Sequence, residues 1–181
     1  AEAYEKAAGK GMARSAAALG ALYEAGRGVE KSNEKAAEWY RKGGLGGDKQ
    51  AAARLAAMIV EGSAVTTDDA DGALWVAMAA GEGNADARKW LEAKAEAGSA
   101  PAKARLAALI DADTKDPAND ARAVALYHEA AEAGDALAQL ELAKKYAAGD
   151  GMGQDYVAAH QWANIAATDG NEAAVKMRDN L

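Results

Sequence analysis

The chain has 181 residues, with Lys+Arg 21 against Asp+Glu 28, a formal charge of −7 and a pI near 4.9. Half of the residues are apolar, enough for a buried core, and the lack of cysteine excludes a disulfide framework, a thiol nucleophile and a thiolate metal site. No apolar run reaches the roughly 18–20 residues of a membrane span, and the acidic balance argues against a phosphate-binding surface, so no span in this segment and no nucleic-acid partner are expected.

Alanine dominates the apolar half, phenylalanine is absent and only two prolines occur, which predicts an all-α fold. A shift of 36 residues superposes Leu19 on Leu55, Gly26 on Gly62 and Trp39 on Trp75, and the same frame resumes at Leu106 and Leu142. In chain order, residues 1–11 read as a half repeat, with Tyr4 in the place of Tyr40 and Gly11 in that of Gly47. Residues 12–47 are a full repeat. Its helix A carries Leu19, Leu22 and Tyr23 on one face and ends at Gly26; Ser32 caps a helix B bearing Ala36, Trp39, Tyr40 and Gly43.

Residues 48–83 repeat the unit with Asp68 as the inner cap. Residues 84–98 hold a single extra helix, Ala85–Ala97, with Trp90-Leu91 in the place of Trp39-Tyr40; an odd helix disturbs the alternation and predicts a kink or an irregular packing there. Residues 99–134 form the third repeat, with Asn119 as its inner cap and Asp113 replacing glycine, and residues 135–170 the fourth, with Asp155 as cap. Residues 171–181 read as a helix A without its helix B. Each unit closes on a glycine followed by a capping side chain, as in Gly47-Asp48 and Gly134-Asp135: glycine suits the left-handed turn that ends one helix, and the next side chain accepts a backbone N–H of the following one. One helix pair cannot bury both of its faces, so the units must stack into an α-solenoid of antiparallel pairs.

A search for chemistry finds little. His128 and His160 have no His or Cys at the helical spacing of a metal site and read as helix-B residues. Asp111-Ala112-Asp113 with Asp116 and Asp120 resembles a calcium loop, but Lys115, Asp116 and Arg122 stand where ligands and a glycine are needed; Thr66–Asp71 is a similar acidic stretch. Ser32-Asn33-Glu34-Lys35 spells S-x-x-K, the nucleophile motif of penicillin-recognising enzymes, yet no S-D-N or K-T-G accompanies it, and Ser32 occupies the same repeat position as Asp68, Asn119 and Asp155, that of a cap. Gly43–Gly47 and Gly149–Gly153 lack the context of a nucleotide loop and read as turns. Three of the four tryptophans, Trp39, Trp75 and Trp162, share a repeat position and Trp90 fits a local copy of it, so they read as core. No catalytic residue, cofactor or metal is expected.

The first unit reads A-x-x-L-G-x-L-Y-x-x-G-x-G-V, from Ala16 through Gly26 and Gly28 to Val29, then K-A-x-x-W-Y-x-K from Lys35 to Lys42. This resembles the Sel-1-like repeat, a relative of the tetratricopeptide repeat, and the last unit, with Gly149, Gly151, Trp162 and Asn164-Ile165-Ala166-Ala167, looks like terminal bacterial members. The pattern weakens where Gly28 becomes Ala64 and Lys115. The resemblance implies a right-handed superhelix that acts as a non-catalytic adaptor for a protein or peptide partner. It also implies an exported, periplasmic bacterial setting, with a cytoplasmic one as the alternative. A regulatory or structural segment of a larger protein, an immunity-type inhibitor and, more remotely, a weak penicillin-binding or cell-wall hydrolase activity are the competing functions. The half units at both ends point to a piece of a longer protein.

The resemblance implies a binding surface on the concave side lined by helix A, where tetratricopeptide relatives usually bind extended peptides. The off-core positions of helix A are Arg14, Ala17, Ala21 and Glu24 in the first repeat, and Gln50, Ala53, Ala57, Val60 and Glu61 in the second. The third contributes Ala104, Ala108 and Asp111, and the fourth Leu140, Lys144 and Ala147. A groove of such small residues would take apolar and aromatic anchors of the partner; the alternative is that these alanines pack against neighbouring helices.

Overall fold

A computed structural model describes Tyr4 and residues 12–64, 68–112, 117–168 and 170–181. The described residues form ten α-helices and no strand: α1 (Ala13–Ala25), α2 (Asn33–Leu45), α3 (Lys49–Val60), α4 (Asp69–Gly81), α5 (Ala85–Glu96), α6 (Ala100–Asp111), α7 (Pro117–Glu132), α8 (Ala136–Ala148), α9 (Tyr156–Ala167) and α10 (Glu172–Asn180). The expected all-α class, built of helix pairs in the manner of an α-solenoid with one extra helix at α5, is the observed one. Residues 1–11 other than Tyr4 lie outside the described residues, so the first half repeat does too.

The chain divides into two compact units, Ala1–Trp90 and Leu91–Leu181. In the first, α1 packs on α2, α2 on α3 and α3 on α4, while α1 also reaches α3. In the second, α6 to α10 pack each on the next in the same way. The core of both units follows the repeat. Leu19, Leu55, Leu106 and Leu142, which share one position of helix A, are all buried, as are Ala36, Ala123 and Ala159 of helix B. With alanine at so many contacts, stability is a sum of many small burials and not of a few large side chains.

The turns explain how the chain reverses. At the end of α2, the Asp48 N–H bonds the Gly43 carbonyl at 2.9 Å and the Gly47 N–H bonds that of Gly44 at 2.9 Å. This doubly bonded closure needs a left-handed residue, and Gly47 supplies it at φ 91. Asp48 then accepts the Ala51 N–H at 2.9 Å and starts α3. Ser99 and Asp135 cap α6 and α8 in the same manner. Inside the repeats, Asp68 and Asp155 cap α4 and α9 as expected.

Asn119 does not. Helix α7 begins at Pro117, so Asn119 lies within its first turn. Proline favours the opening positions of a helix, where its fixed φ fits and no N–H is required, and it sets the start earlier than the aligned cap position does.

Candidate partner-binding surface

The helix-A positions were the sequence-based candidates, and the structure separates them. Arg14 and Gln50 are exposed, as is Ala53, while Ala17, Ala21, Ala57 and Val60 are half-buried. Lys144 is exposed and pairs with Glu141 at 2.7 Å. Leu140 and Ala104 are corrected: both are buried, Leu140 in a cluster with Ala166 and Ala174, so neither lines an open surface. Ala17, Ala53, Ala104 and Leu140 share one repeat position, and what differs is whether that position is covered.

Glu24 and Asp111, also one repeat position, are each held by a cation of the next repeat. The Arg54 guanidinium donates through Nε to Glu24 Oε1 at 2.9 Å and a second time through Nη2, while the Tyr40 hydroxyl donates to Glu24 Oε2 at 2.7 Å. The hydrogen bonds from Arg54 hold the Glu24 carboxyl below the usual glutamate range; burial opposes them and the Tyr40 hydroxyl assists. Burial, then the Glu24 carboxylate it bonds, pushes the Tyr40 phenol well above its ordinary value. Arg54 also reaches Glu61 at 3.3 Å. In the second unit Lys145, only 4% exposed, bonds Asp111 at 2.5 Å and Asp150 at 2.8 Å. Burial works against its charge, but the two carboxylates together outweigh it and raise the ammonium above its ordinary value.

The remaining sequence candidates have structural surroundings. The Ser32 hydroxyl accepts the Lys35 N–H at 3.2 Å, the bond of a helix cap. His128 is half-buried, its Nε2 3.0 Å from the Tyr146 hydroxyl and its ring edge-on to Trp162; His160 is exposed. Trp75 is buried and donates to Asp71 at 2.9 Å, whereas Trp39 is half-buried under the Lys42 ammonium at 4.1 Å. Arg41 holds the same Asp71 carboxylate at 2.5 Å, tying α2 to α4. Asp113–Asp116 and Thr66-Thr67 lie outside the described residues, so the two acidic loops are seen only at their edges. Among the described residues no group of His, Asp and Glu is arranged to hold a metal, and no helix is long and apolar enough to cross a membrane.

Periodicity did not single out a cavity of about 360 Å³ in the first unit, floored by Gly44, Ala52, Ala53, Met78 and Ala79. Lys49 and Glu82, bonded at 2.9 Å, stand on its rim. An adjoining, more polar basin of about 570 Å³ shares Gly47, Asp48 and Lys49 with it and adds Arg14 and Gln50. Residue size alone does not mark it in the sequence, because alanine is the rule at this repeat position (Ala17, Ala53 and Ala104) and Leu140 the exception.

Helix pairs of fixed length, closed by glycine turns and carrying the same buried positions, define a helical repeat protein. Four stretches, residues 13–48, 49–84, 100–135 and 136–171, match the Sel1 repeat, and the chain belongs to this family. Sel1 repeats are in general protein–protein interaction modules, and the proteins built from them are generally non-catalytic scaffolds. Among solved structures the chain is similar to c5321, a protective antigen present in uropathogenic Escherichia coli strains displaying an SLR fold. Identity is 30%, over 94% of this chain and 41% of that one, with a TM-score of 0.47. It is also similar to a Sel1 repeat protein from Oxalobacter formigenes, at 29% identity over 98% of this chain and 47% of that one, TM-score 0.49. The chain thus spans less than half the length of either. No curated protein matches it.

Proposed function

We propose that the chain is a non-catalytic scaffold that holds a protein or peptide partner on its helix-A face, the concave side in a solenoid, within an exported, periplasmic bacterial protein. The observation that carries this reading is how the helix-A charges are spent. Glu24 is engaged by Arg54 and Tyr40, and Asp111 by Lys145. In the first unit the helix-A face beside Glu24 is lined by half-buried small residues, Ala17, Ala21 and Ala57, with Val60 and the exposed Arg14 and Gln50. Such a face offers shape and apolar contact more than charge, which suits anchor side chains of a partner.

The test is a binding titration of the chain against a captured, purified partner. Arg14→Glu, Val60→Asp and Lys144→Glu are each expected to weaken binding tenfold or more, on the order of 1.4 kcal/mol. Glu38→Lys, an exposed change on helix B, is expected to leave it unchanged. Loss on Glu38→Lys with retention in all three others overturns the helix-A assignment.

A further inference from the structure

We infer that the cavity between α2, α3 and α4 is a docking pocket for the C-terminal residue of a peptide partner, a leucine-sized apolar side chain with its free carboxylate facing Arg14. The inference rests on the chain being an interaction module; its apolar cavity lies between α2, α3 and α4, apart from Val60 and Lys144, and it shares Arg14 and Gln50 with the edge of the helix-A face.

The second unit shows what the cavity lacks. Ala53, Gly44 and Ala79 of the cavity correspond, repeat for repeat, to Leu140, Ala131 and Ala166. There the place is filled: Leu140 is buried against Ala166, and the neighbouring Gln139, itself buried, donates to the Ala131 carbonyl at 3.2 Å. In the first unit alanine replaces both Leu140 and Gln139, as Ala53 and Ala52, and the space stays open to the surface with Met78 47% exposed beside it. Leu140 shows that this position can seat a leucine beside the alanine of the next helix; Ala104 is buried there without one, and Ala53 is the exposed alanine that borders an open cavity. Its volume of about 360 Å³ falls within the range of ligand pockets.

The charge beside it selects the other end of the occupant. Arg14 lines the adjoining basin, has no ion pair among the described residues, and sits in the first turn of α1, where a helix disfavours a cation. Lys49 adds a second positive charge, shared with Glu82, and the exposed Gln50 amide a further donor; the Asp48 carboxylate, which lines both basins, is engaged by the Ala51 N–H as a helix cap. The half of the chain that holds the basin is the less acidic one: residues 1–90 carry Lys+Arg 12 against Asp+Glu 13, whereas residues 91–181 carry 9 against 15. A C-terminal residue brings a carboxylate within two bonds of its side-chain root, the shortest spacing a peptide offers between an apolar group and an anion, and the two basins adjoin.

The experiment is a fluorescence anisotropy titration of the full chain with fluorescein-labelled Gly-Ser-Gly-Ser-Gly-Leu bearing a free carboxyl. The same peptide as its C-terminal amide, and one ending in alanine, are each expected to bind at least about tenfold more weakly. Ala53→Leu, which fills the cavity as Leu140 does, is expected to abolish binding with Tm unchanged or raised, and Arg14→Glu to abolish the preference for acid over amide. Val60→Asp and Lys144→Glu are expected to leave the peptide bound. Equal affinity for acid and amide, undiminished binding to Ala53→Leu, or no binding of the leucine acid at about 1 mM overturns the inference. Should Ala53→Leu not fold, Met78→Lys serves in its place, with loss of binding expected and retention overturning the inference. Peptide binding lost on Val60→Asp instead moves the occupant to the helix-A face, leaving the scaffold reading standing and this pocket refuted.

Discussion

Arg54 of α3 and Glu24 of α1, thirty residues apart on the first helices of consecutive repeats, form an ion pair whose carboxylate also takes the Tyr40 hydroxyl from α2. Three helices thus meet on one side chain. The pair is only partly shielded, with Arg54 38% exposed, so its contribution is discounted toward that of surface pairs. A double-mutant cycle with Glu24→Gln and Arg54→Met is expected to give a coupling of about 1 kcal/mol in urea denaturation.

The same carboxylate sets a pH dependence. Because its folded pKa is lowered, its contribution is complete above the ordinary glutamate range and is lost as the pH falls through the folded value. The stability gap between the wild type and Glu24→Gln is therefore expected to be full near about pH 7 and to close in acid. A gap that widens in acid would reverse the sign and refute the pairing.

Lys145 works in the opposite range. Its folded pKa is raised, so its contribution is present at neutral pH and is lost as the pH climbs through the folded value. Lys145→Met keeps the aliphatic stem and leaves Asp111 and Asp150 facing each other without a cation. A loss of about 1–3 kcal/mol is expected, less than for a sealed ion pair because Asp150 is 58% exposed and can hydrate. Unfolding at about pH 8 and about pH 11 checks it, since the wild-type advantage over Lys145→Met should shrink at the higher pH.

Two glycines inside helices test packing against propensity. A Cβ at Gly20 would come within 2.8 Å of the Tyr40 ring, and one at Gly44 within 2.7 Å of the Trp75 ring. Propensity alone favours alanine in a helix by roughly 0.5–1 kcal/mol. Neither ring is free to retreat: Tyr40 is buried and tethered to Glu24, and Trp75 is buried and tethered to Asp71. Gly20→Ala and Gly44→Ala are each expected to lower stability by about 1–3 kcal/mol. A rise in Tm for either would show that the rings yield.

The helices, their glycine turns and most of their caps were legible in the sequence because each depends on residues a few positions apart. Gly47-Asp48 closes α2 and opens α3 by bonds that span no more than five residues. Asn119 was misread because alignment carried the cap across from Ser32 and Asp155, while the local chemistry of Pro117 started the helix earlier. The candidate surface was less legible. Helical periodicity gives Ala53 and Leu140 the same place on helix A, but whether that place is open depends on what packs over it: Leu140 meets Ala166 of α9 and also Ala174 of α10, beyond its own repeat, while Ala104, no larger than Ala53, is buried at the same position. The cation that meets each acidic position was hidden for a related reason, since Arg54 and Lys145 occupy different repeat positions and converge on equivalent acids only in three dimensions.

Leu140 and Ala53 allow a reciprocal test of that difference. Leu140 is 7% exposed and packs on Ala166 of α9 and Ala174 of α10, with Met177 alongside. Leu140→Ala removes the largest side chain of this cluster, and alanine neighbours cannot expand to refill it. A loss of about 2–3 kcal/mol is expected, at the lower end for such a truncation because the site borders solvent and water can enter. Helix α10 leans on the cluster through Ala174 and Met177, so its amides should lose hydrogen-exchange protection before those of α8, whose Leu142 is buried independently. In the first unit Ala53→Leu should move stability the other way or leave it unchanged, because the cavity already has room for the added carbons. Equal destabilisation by both substitutions would mean that the space beside Ala53 closes in solution, and the repeat equivalence between the two sites would fail with it.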